Sequence, residues 1–228
     1  MWSFPERGNW ATHSGMYRGN WTPYVPRNLI LRYSKLNDWV LDQFLGSGTT
    51  LIEAKLLGRN AIGTDINLSA LSITSKNLMF NSEEYNPKII LKNCDARNLN
   101  FLHNESIDLI CTHPPYSNII KYSKDIPEDL STLDYQTFLK SMDKVASEAY
   151  RILKPDKVCA IMMGDIRKNG NVIPLGFEIM NIFIKNGFIL HEIIIKEQHN
   201  CSSSKRWEHI EKNFLLIAHE YIFVFLKS

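Results

Sequence analysis

The sequence predicts an α/β fold built on a doubly wound, Rossmann-like sheet that is mostly parallel. Short apolar runs suited to buried strands alternate with longer stretches of helical periodicity, which is typical of parallel sheets covered by helices. A turn at residues 46–48 with two glycines joins the first strand to a helix. Near the C-terminus, two strand-like runs follow each other with no helix between them. This pattern predicts a C-terminal hairpin that gives the mostly parallel sheet an antiparallel edge strand.

The strands and helices follow from apolar runs and from turn residues. Residues 1–28 form an arm rich in aromatic and basic side chains, and 28–33 are predicted as a short helix. The predicted strands are 39–41, 61–64, 88–92, 107–112, 158–163, 188–196 and 214–225. The predicted helices begin near residue 49, run to about residue 80 after the second strand, and then cover 134–153 and 174–186, with a turn at 169–170.

Composition sets limits on the class of protein. A length of 228 residues favours one domain over 1–228, and a net charge of +2 means that any basic surface must be local. The N-terminus has no long apolar segment, so neither a signal peptide nor a membrane span is predicted. The cysteines lie far apart, and Cys94, Cys111 and Cys159 are interpreted as buried thiols of a reducing cytoplasm. His199 and Cys201 have no second pair at ligand spacing, so no metal site is predicted.

Residues 39–67 predict a site for a small ligand that contains an adenosine ribose. The glycine turn leaves no side chain between backbone and ligand, and Asp65 ends the second strand, where a carboxylate can accept hydrogen bonds from ribose hydroxyls. A dinucleotide site is the alternative, but the G-x-G-x-x-G spacing is absent. Asp42 before the turn would repel a pyrophosphate and attract an ammonium group. These charges favour S-adenosylmethionine.

Two further segments predict contacts at the same edge of the sheet. Asp95 follows the third strand, where open parallel sheets bind ligands, although a turn or helix-capping aspartate is the alternative. The fourth strand runs directly into His113-Pro114-Pro115-Tyr116. Two prolines cannot continue a central strand and hold the backbone extended. An aromatic residue directly after them predicts a pocket with a rigid carbonyl and a stacking face rather than a simple turn.

With these motifs, the chain resembles the S-adenosylmethionine-dependent DNA amino-methyltransferases, which methylate adenine N6 or cytosine N4. Residues 42–50 resemble the family's D-P-F-x-G-S-G-T-T loop, 64–67 its ribose-binding strand end, and 113–116 its [D/N/S]-P-P-[Y/F/W] motif. Residues 20–26 stand where the family often contacts the cofactor's amino-acid end, and 213–227 resemble its closing hairpin. The resemblance implies a methyltransferase fold with cofactor contacts from Asp42, Phe44, Gly46, Ser47, Gly48, Thr49, Thr50, Asp65, Ile66, Asp95, Thr22 and Pro26.

The resemblance also implies catalytic roles for His113, Pro114, Pro115 and Tyr116. The target amine would donate hydrogen bonds to the Pro114 carbonyl and to position 113, while Tyr116 stacks on a base flipped out of the duplex. His113 replaces the usual Asp, Asn or Ser, and an imidazole accepts a hydrogen bond only when it is neutral. Gln43 replaces the usual proline, a change expected to matter little. Thr112 before the motif is a hint towards the cytosine N4 form.

The expected partner is DNA, with a homodimer or a partner restriction or specificity subunit as additional possibilities. The arm and the loops 117–131 and 197–212 are the candidates for reading bases. The expected phosphate contacts, for which solvated surface charge is the alternative, are Arg7, Arg18, Lys121, Lys124, Lys205 and Arg206. The arm would pack its tryptophans on the body, and part of it would cover the cofactor's methionine end; the two interpretations are compatible. Alternative functions are an RNA methyltransferase acting on guanine N2 or another base amine, and a non-catalytic subunit that binds S-adenosylmethionine.

Overall fold

The computed structural model of the protein describes residues 1–82, 84–117, 121–123, 125–199 and 215–228. The helices are α1 (Tyr24–Tyr33), α2 (Thr49–Leu56), α3 (Leu68–Asn77), α4 (Tyr135–Ile152) and α5 (Leu175–Lys185). The strands are β1 (Trp39–Asp42), β2 (Asn60–Asp65), β3 (Ile89–Asn93), β4 (Ile107–Thr112), β5 (Leu153–Met163), β6 (Ile166–Lys168), β7 (Asn171–Ile173), β8 (Phe188–Glu197) and β9 (His219–Lys227). A short 3-10 helix covers Leu130–Thr132.

Seven strands form one sheet in the order β3-β2-β1-β4-β5-β9-β8, which confirms the predicted doubly wound class. The pairs from β3 to β5 are parallel, and β9 pairs antiparallel with both β5 and β8. The C-terminal hairpin supplies the predicted antiparallel strand as β9, which lies inside the sheet, while β8, the other strand of the hairpin, forms the edge. The consecutive side chains Ile222, Phe223, Val224 and Phe225 are fully buried, as expected for a strand covered on both faces.

The sheet separates two hydrophobic cores. Successive side chains of a strand point to opposite faces, so Leu41 packs with α4 and α5, while Val40 packs with α1 and α2. In β5, Cys159 and Ile161 likewise belong to the first core, and Ala160 belongs to the second. Helices therefore cover both faces of the central strands, and polar groups reach a ligand only at the strand ends.

The structure changes several predicted boundaries. Helix α1 begins at Tyr24 rather than at residue 28, because Pro23 and Pro26 sit at its N-terminal end, where no backbone N–H is needed. Strand β5 begins at Leu153 rather than at residue 158, and its pairing with β4 shifts register between Leu153 and Val158, where Asp156 has φ +58°. The turn at 169–170 joins β6 and β7, each of three residues, which is too short for a period-two pattern. Strand β9 begins at His219, and position 214 lies outside the described residues.

The cysteine prediction holds for two of the three residues in question. Cys111 and Cys159 are fully buried free thiols, whereas Cys94 is only half-buried because it stands at the end of β3. Cys201 lies outside the described residues. Within the described residues, no helix is both long and apolar enough to cross a membrane.

The arm is fixed to the body at both of its ends. The Trp2 backbone pairs with β8, since its N–H donates to the Ile195 carbonyl at 2.8 Å and its carbonyl accepts from the Glu197 N–H at 2.8 Å. Trp21 is buried against the core. The arm therefore continues the sheet surface and reaches the ends of β1 and β4, as the interpretation of packed tryptophans predicted.

A buried carboxylate on α2 holds the middle of the arm. Glu53 is completely buried and accepts hydrogen bonds from Trp10 Nε1 at 2.7 Å, His13 Nε2 at 2.7 Å and Arg27 Nη1 at 2.9 Å. A buried carboxylate stabilises a fold only while its partners satisfy it, and these three come from the arm and from α1. Glu53 thus couples the arm to the helix that follows the glycine turn.

We expect Glu53→Ala to lower the free energy of unfolding by about 3 kcal/mol, because His13 and Arg27 lose their buried partner. Urea denaturation followed by circular dichroism measures the change. Glu6→Ala, at an exposed position on the same arm, serves as the control and should leave stability almost unchanged. Equal stabilities for the two variants would contradict a structural role for Glu53.

Candidate active site

A cavity opens at the carboxyl ends of β1 to β4, beneath the arm. Its volume of about 740 Å³, which includes the opening to solvent, is within the range of pockets for small molecules. The lining residues are Tyr17, Gly19, Asn20, Trp21, Asp42, Gln43, Phe44, Leu45, Gly46, Thr49, Asp65, Ile66, Cys94, Asp95, Ala96, His113, Pro115, Tyr122, Asp129 and Leu130. The cavity therefore joins the glycine turn to the segment with two prolines.

Asp42 is the buried acid at the base of the cavity. Its carboxylate accepts hydrogen bonds from Thr50 Oγ1 at 2.5 Å, Thr112 Oγ1 at 2.8 Å and the Phe44 N–H at 3.1 Å. Burial raises the pKa of Asp42 to about 6, although these hydrogen bonds act in the opposite direction. The Thr112 bond crosses from β4 to β1, so the first residue of the 42–50 loop is held to the residue that precedes the segment with two prolines.

Asp65 stands beside it at the end of β2. Its carboxylate accepts the Asn67 N–H at 2.9 Å and the Gly46 N–H at 3.1 Å. Burial raises the pKa of Asp65 to about 6, and the charges of Asp42 and Asp129 add to the effect. Because both pKa values lie near 6, the two carboxyl groups lose their protons as the pH rises through 6. The attraction of the cavity for a cationic ligand then increases.

The glycine turn has backbone geometry that side chains would disrupt. Gly46 and Gly48 have φ values of +52° and +83°. A Cβ atom on Gly48 would lie 2.6 Å from Thr74 Cγ2, and one on Gly46 would lie 3.2 Å from Tyr17 Cε1. Gly48 is also the N-cap of α2, so the turn brings the helix N-terminus at Thr49 to the cavity wall.

Asp95 lines the cavity but already has a strong partner. The Arg97 guanidinium donates to it from Nη2 at 2.6 Å and from Nε at 2.9 Å, and Arg97 also reaches the Glu128 carbonyl at 2.8 Å. A ligand amine would therefore share this carboxylate with Arg97. The alternative of a turn aspartate also has support, since Asp95 accepts the Arg97 N–H at 2.9 Å.

The ring of His113 is held on two sides. Trp21 stacks on it with ring centroids 5.5 Å apart and planes 23° from parallel, and His113 Nε2 lies 3.0 Å from Tyr116 Oη. Burial lowers the pKa of His113 to about 4, which leaves the imidazole neutral at neutral pH. Position 113 is thus able to accept a hydrogen bond under ordinary conditions.

A buried ion pair continues this contact away from the cavity. Tyr116 Oη donates to Glu220 Oε1 at 2.7 Å, and Lys196 Nζ donates to Glu220 Oε2 at 2.9 Å. Burial raises the pKa of Glu220, but the attraction of Lys196 and the bonds from Lys196 and Tyr116 outweigh it, so the pKa lies below its usual range. Glu220 is therefore ionised. The sequence placed it only in a closing hairpin.

Two tyrosines cover the mouth of the cavity. Tyr17 from the arm and Tyr122 from the 117–131 loop stack with centroids 6.2 Å apart and planes 11° from parallel. Gly19 faces the Tyr122 hydroxyl at a distance that leaves no room for a Cβ atom. No sequence motif marks these tyrosines, because their proximity arises from two segments about a hundred residues apart.

The structure brings most predicted cofactor residues to the cavity, but not all. The predicted residues that line it are Asp42, Phe44, Gly46, Thr49, Asp65, Ile66, Asp95, His113 and Pro115. Those outside the lining are Ser47, Gly48, Thr50, Pro114, Tyr116, Thr22 and Pro26. Thr22 is buried with its hydroxyl donating to the Arg7 carbonyl at 2.6 Å, and Pro26 is buried in α1. Asn20 and Trp21 take the place expected for Thr22 and Pro26.

The predicted phosphate contacts differ in their surroundings. Arg7 is half-buried and donates to the carbonyls of Trp21 at 2.8 Å and Asn20 at 3.2 Å, so it stabilises the arm. Arg18 and Lys121 are exposed. Positions 124, 205 and 206 lie outside the described residues, as do 118–120 of the first candidate loop and 200–212 of the second. Phosphate binding by all six residues stays a prediction.

The cavity holds no obvious metal site. No group of three or more His, Cys, Asp and Glu side chains is placed to hold a metal ion, as far as the described part of the chain extends. Its acids are instead satisfied by hydroxyls, backbone amides and Arg97.

Gln43 lines the cavity in place of the proline of the resembling loop. Its side chain is buried, and neither Nε2 nor Oε1 has a hydrogen-bond partner among the described residues. A buried amide without partners lowers stability, so the expectation that the exchange matters little is tested by measuring the free energy of unfolding.

Comparison with known proteins places these features in context. A family model described as DNA methylase matches residues 1–76 and 107–228. The tRNA (guanine(10)-N2)-dimethyltransferase of Methanocaldococcus jannaschii is 40% identical over 119 residues, which are 49% of this chain and 33% of that protein. The type II methyltransferase M1.MboII of Moraxella bovis is 51% identical over 65 residues, 27% of this chain and 24% of that protein. The chain thus spans a third or less of the length of these two relatives.

The fold also resembles solved structures. A SAM-dependent methyltransferase from Methanosarcina mazei superposes with a TM-score of 0.61 at 16% identity, covering 87% of this chain and 96% of that one. At this identity the likeness concerns the fold alone.

We expect Gln43→Met to raise the free energy of unfolding by about 1 kcal/mol, because methionine has a similar volume and removes two unsatisfied polar atoms. Urea denaturation measures the change. Gln136→Met at an exposed position of α4 is the control for the substitution itself. If Gln43→Met instead lowers the free energy of unfolding as much as a cavity-forming substitution does, the explanation from unsatisfied polar atoms is wrong.

Proposed function

Because the chain belongs to the N6/N4 DNA methylase family, we propose that it transfers the methyl group of S-adenosylmethionine to the exocyclic amine of a base flipped out of DNA, cytosine N4 or adenine N6. Methyltransferase activity and the S-adenosylmethionine cofactor follow from the family, and the nucleic acid and the base are the proposed part. The observation that carries the proposal is that His113 and Pro115 open onto the same cavity as Asp42 and Asp65.

The acids of the cavity suit the cofactor. S-adenosylmethionine supplies, when bound, an electrophilic methyl group on a sulfonium, and it carries an ammonium and a ribose. We assign the ribose hydroxyls to Asp65 at the end of β2, and the ammonium to the charge of Asp42. Asp95 is assigned to the adenine amine, which it would share with Arg97. The bare backbone at Gly46 allows close approach.

The segment 113–116 suits an amine substrate. An exocyclic amine is a weak nucleophile because its lone pair is delocalised into the ring. The Pro114 carbonyl and the neutral ring of His113 would accept its two N–H bonds and thereby orient the lone pair towards the methyl group. Tyr116 does not line the cavity in this structure, and its proposed stacking on the base stays a prediction. Most of the rate enhancement then comes from positioning, because the reacting atoms must approach to about 3–3.5 Å in line.

DNA would approach from the side of the arm and the 117–131 loop. Arg18 and Lys121 are exposed there, and Lys124, Lys205 and Arg206 are proposed to add phosphate contacts. With a net charge of only +2, the chain has little long-range attraction for DNA. This supports a second copy or a specificity subunit as an additional source of contacts.

A second candidate is methylation of a base amine in RNA. The relative from Methanocaldococcus jannaschii is named a tRNA (guanine(10)-N2)-dimethyltransferase, and its identity to this chain extends over 119 residues. An amine on guanine N2 would present the same two N–H bonds to His113 and Pro114. The cavity chemistry is common to both substrates, so the nucleic acid itself must distinguish them.

The deciding experiment is transfer of labelled methyl groups to duplex DNA, single-stranded DNA and RNA, followed by mass analysis of the nucleosides. We expect N4-methylcytosine or N6-methyladenine in DNA. Label confined to methylguanine in RNA would favour the second candidate.

In His113→Ala we expect turnover to fall by about a hundredfold while the Kd for S-adenosylmethionine changes little, because the ring acts on the amine. Equal losses in both quantities would contradict the role of His113.

The acids make cofactor binding dependent on pH. The pKa values of Asp42 and Asp65 are both raised to about 6, so below pH 6 they bind protons and lose their attraction for the cation. We expect the Kd for S-adenosylmethionine to rise about tenfold between pH 7 and pH 5, measured by isothermal titration calorimetry. Asp42→Asn should flatten this dependence. Asp156→Asn, an exposed site at the opposite end of β5, should leave it unchanged. A Kd independent of pH in the unmodified protein would rule out the assignment.

A further inference from the structure

A line of four polar side chains runs from the cavity wall into the C-terminal strands. It begins at His113 Nε2, which is 3.0 Å from Tyr116 Oη, and continues through the 2.7 Å bond from Tyr116 to Glu220. It ends at Lys196, which donates to the other Glu220 oxygen at 2.9 Å. All four residues are buried or half-buried, and β8 and β9 supply the last two.

The hydrogens available along this line of side chains determine which nitrogen of the His113 ring carries a hydrogen. Glu220 is held ionised by Lys196 and therefore only accepts hydrogen bonds. Tyr116 has one hydroxyl hydrogen, and it is donated to Glu220 Oε1. The Tyr116 oxygen is then left as an acceptor towards His113. The 3.0 Å contact is satisfied only when Nε2 carries the hydrogen, which leaves Nδ1 with a free lone pair.

The free nitrogen is available to a ligand. Nδ1 of His113 has no hydrogen-bond partner within the described ranges, and the residue lines the cavity. Stacking by Trp21 at a centroid distance of 5.5 Å fixes the plane of the ring. The ring thus has one nitrogen anchored and the other unoccupied.

We propose that Glu220 is a positioning residue that acts through Tyr116 to hold His113 in the tautomer protonated on Nε2, so that Nδ1 accepts first the hydrogen bond and then the proton of the target amine. This inference rests on the proposed function, because it concerns the same site and the same amine. It assigns a role to two residues of the C-terminal hairpin. It also explains how histidine takes the position that Asp, Asn or Ser occupies in the resembling motif.

The methyl transfer breaks one bond, forms another and releases one proton. The bond between sulfur and the methyl carbon breaks as the bond from the amine nitrogen to that carbon forms, so the positive charge moves from sulfur to nitrogen. The methylated nitrogen then gives one proton to Nδ1. A positively charged exocyclic amine on a base is a far stronger acid than an imidazolium, so even a weakly basic histidine takes this proton. The imidazolium lies one hydroxyl away from the Glu220 carboxylate and releases the proton to water once the product leaves.

The tautomer can be observed without any substrate. In protein labelled with ¹⁵N-histidine, two-bond proton–nitrogen correlation spectra distinguish a nitrogen that carries hydrogen from one with a lone pair. Seven histidines contribute, and the signal missing in His113→Asn identifies position 113. We expect Nε2–H in the unmodified protein and a mixture of tautomers in Tyr116→Phe and Glu220→Gln. Hydrogen on Nδ1 in the unmodified protein would overturn the proposal, whichever nucleic acid is the substrate.

Kinetics provide a second test with a matched control. Tyr221 has a similar arrangement on the same strand as Glu220, with His219 Nε2 at 3.0 Å and Asp165 Oδ2 at 3.4 Å, but its histidine, His219, does not line the cavity, whereas His113 does. We expect Tyr116→Phe and Glu220→Gln to lower kcat by about tenfold or more with little change in the Kd for S-adenosylmethionine. Tyr221→Phe removes an equivalent hydroxyl and should leave kcat within about twofold of the unmodified protein.

The background of His113→Asn separates positioning from simple structural support. An asparagine oxygen accepts a hydrogen bond without needing a particular tautomer, so Glu220→Gln should cost little in that background. The same loss of kcat in both backgrounds would overturn the proposal. If the unmodified protein transfers no methyl group to any nucleic acid, the proposed function fails, and the nitrogen spectrum still decides the tautomer.

Discussion

The hydrogen bond from Thr112 to Asp42 is the contact on which the site depends. It joins β4 to β1 at the edge where both strands end, and it is possible because Leu41 pairs with Ile110 in parallel register. One residue beyond Thr112 begins the segment with two prolines, and a few residues beyond Asp42 begins the glycine turn. A slip of one residue in this register would turn Asp42 towards the other face of the sheet and separate the two motifs.

The N-terminal arm supplies cavity wall in addition to that formed by the strand ends. Glu53 fastens it to α2, so that Trp21 lies on the ring of His113 and Tyr17 lies over Gly46. The helix that starts at the glycine turn is therefore also the anchor of the cavity's cover. A cofactor that binds at the turn would affect the same elements that hold the catalytic ring, which gives a physical route from cofactor binding to order in the substrate side of the cavity.

Local patterns predicted the parts of the site that are contiguous in sequence. The glycine turn, Asp65 at a strand end and the two prolines after β4 all owe their position to a few neighbouring residues, and the structure brings their surroundings to one cavity. Glu53 and Glu220 could not be recognised this way. Each is a single carboxylate whose role depends on partners far along the chain, such as the 104 residues between Tyr116 and Glu220.

The same limit applies to the fold. The strand order from β3 to β5 follows from the alternation of strands and helices, but the insertion of β9 between β5 and β8 depends on pairing that no local pattern encodes. The unpartnered amide of Gln43 was missed for another reason. A substitution of one residue in a recognised motif gives no sign of whether the new side chain finds a partner, and here neither amide atom has one among the described residues.

The central claim is that one cavity serves both the cofactor and the amine-accepting segment. Its most direct test is the structure of the complex with S-adenosylhomocysteine. The account predicts the ribose on the carboxylate of Asp65 and the thioether sulfur in the space between the glycine turn and the ring of His113. A ribose bound away from Asp65, or a sulfur atom walled off from His113, would contradict it.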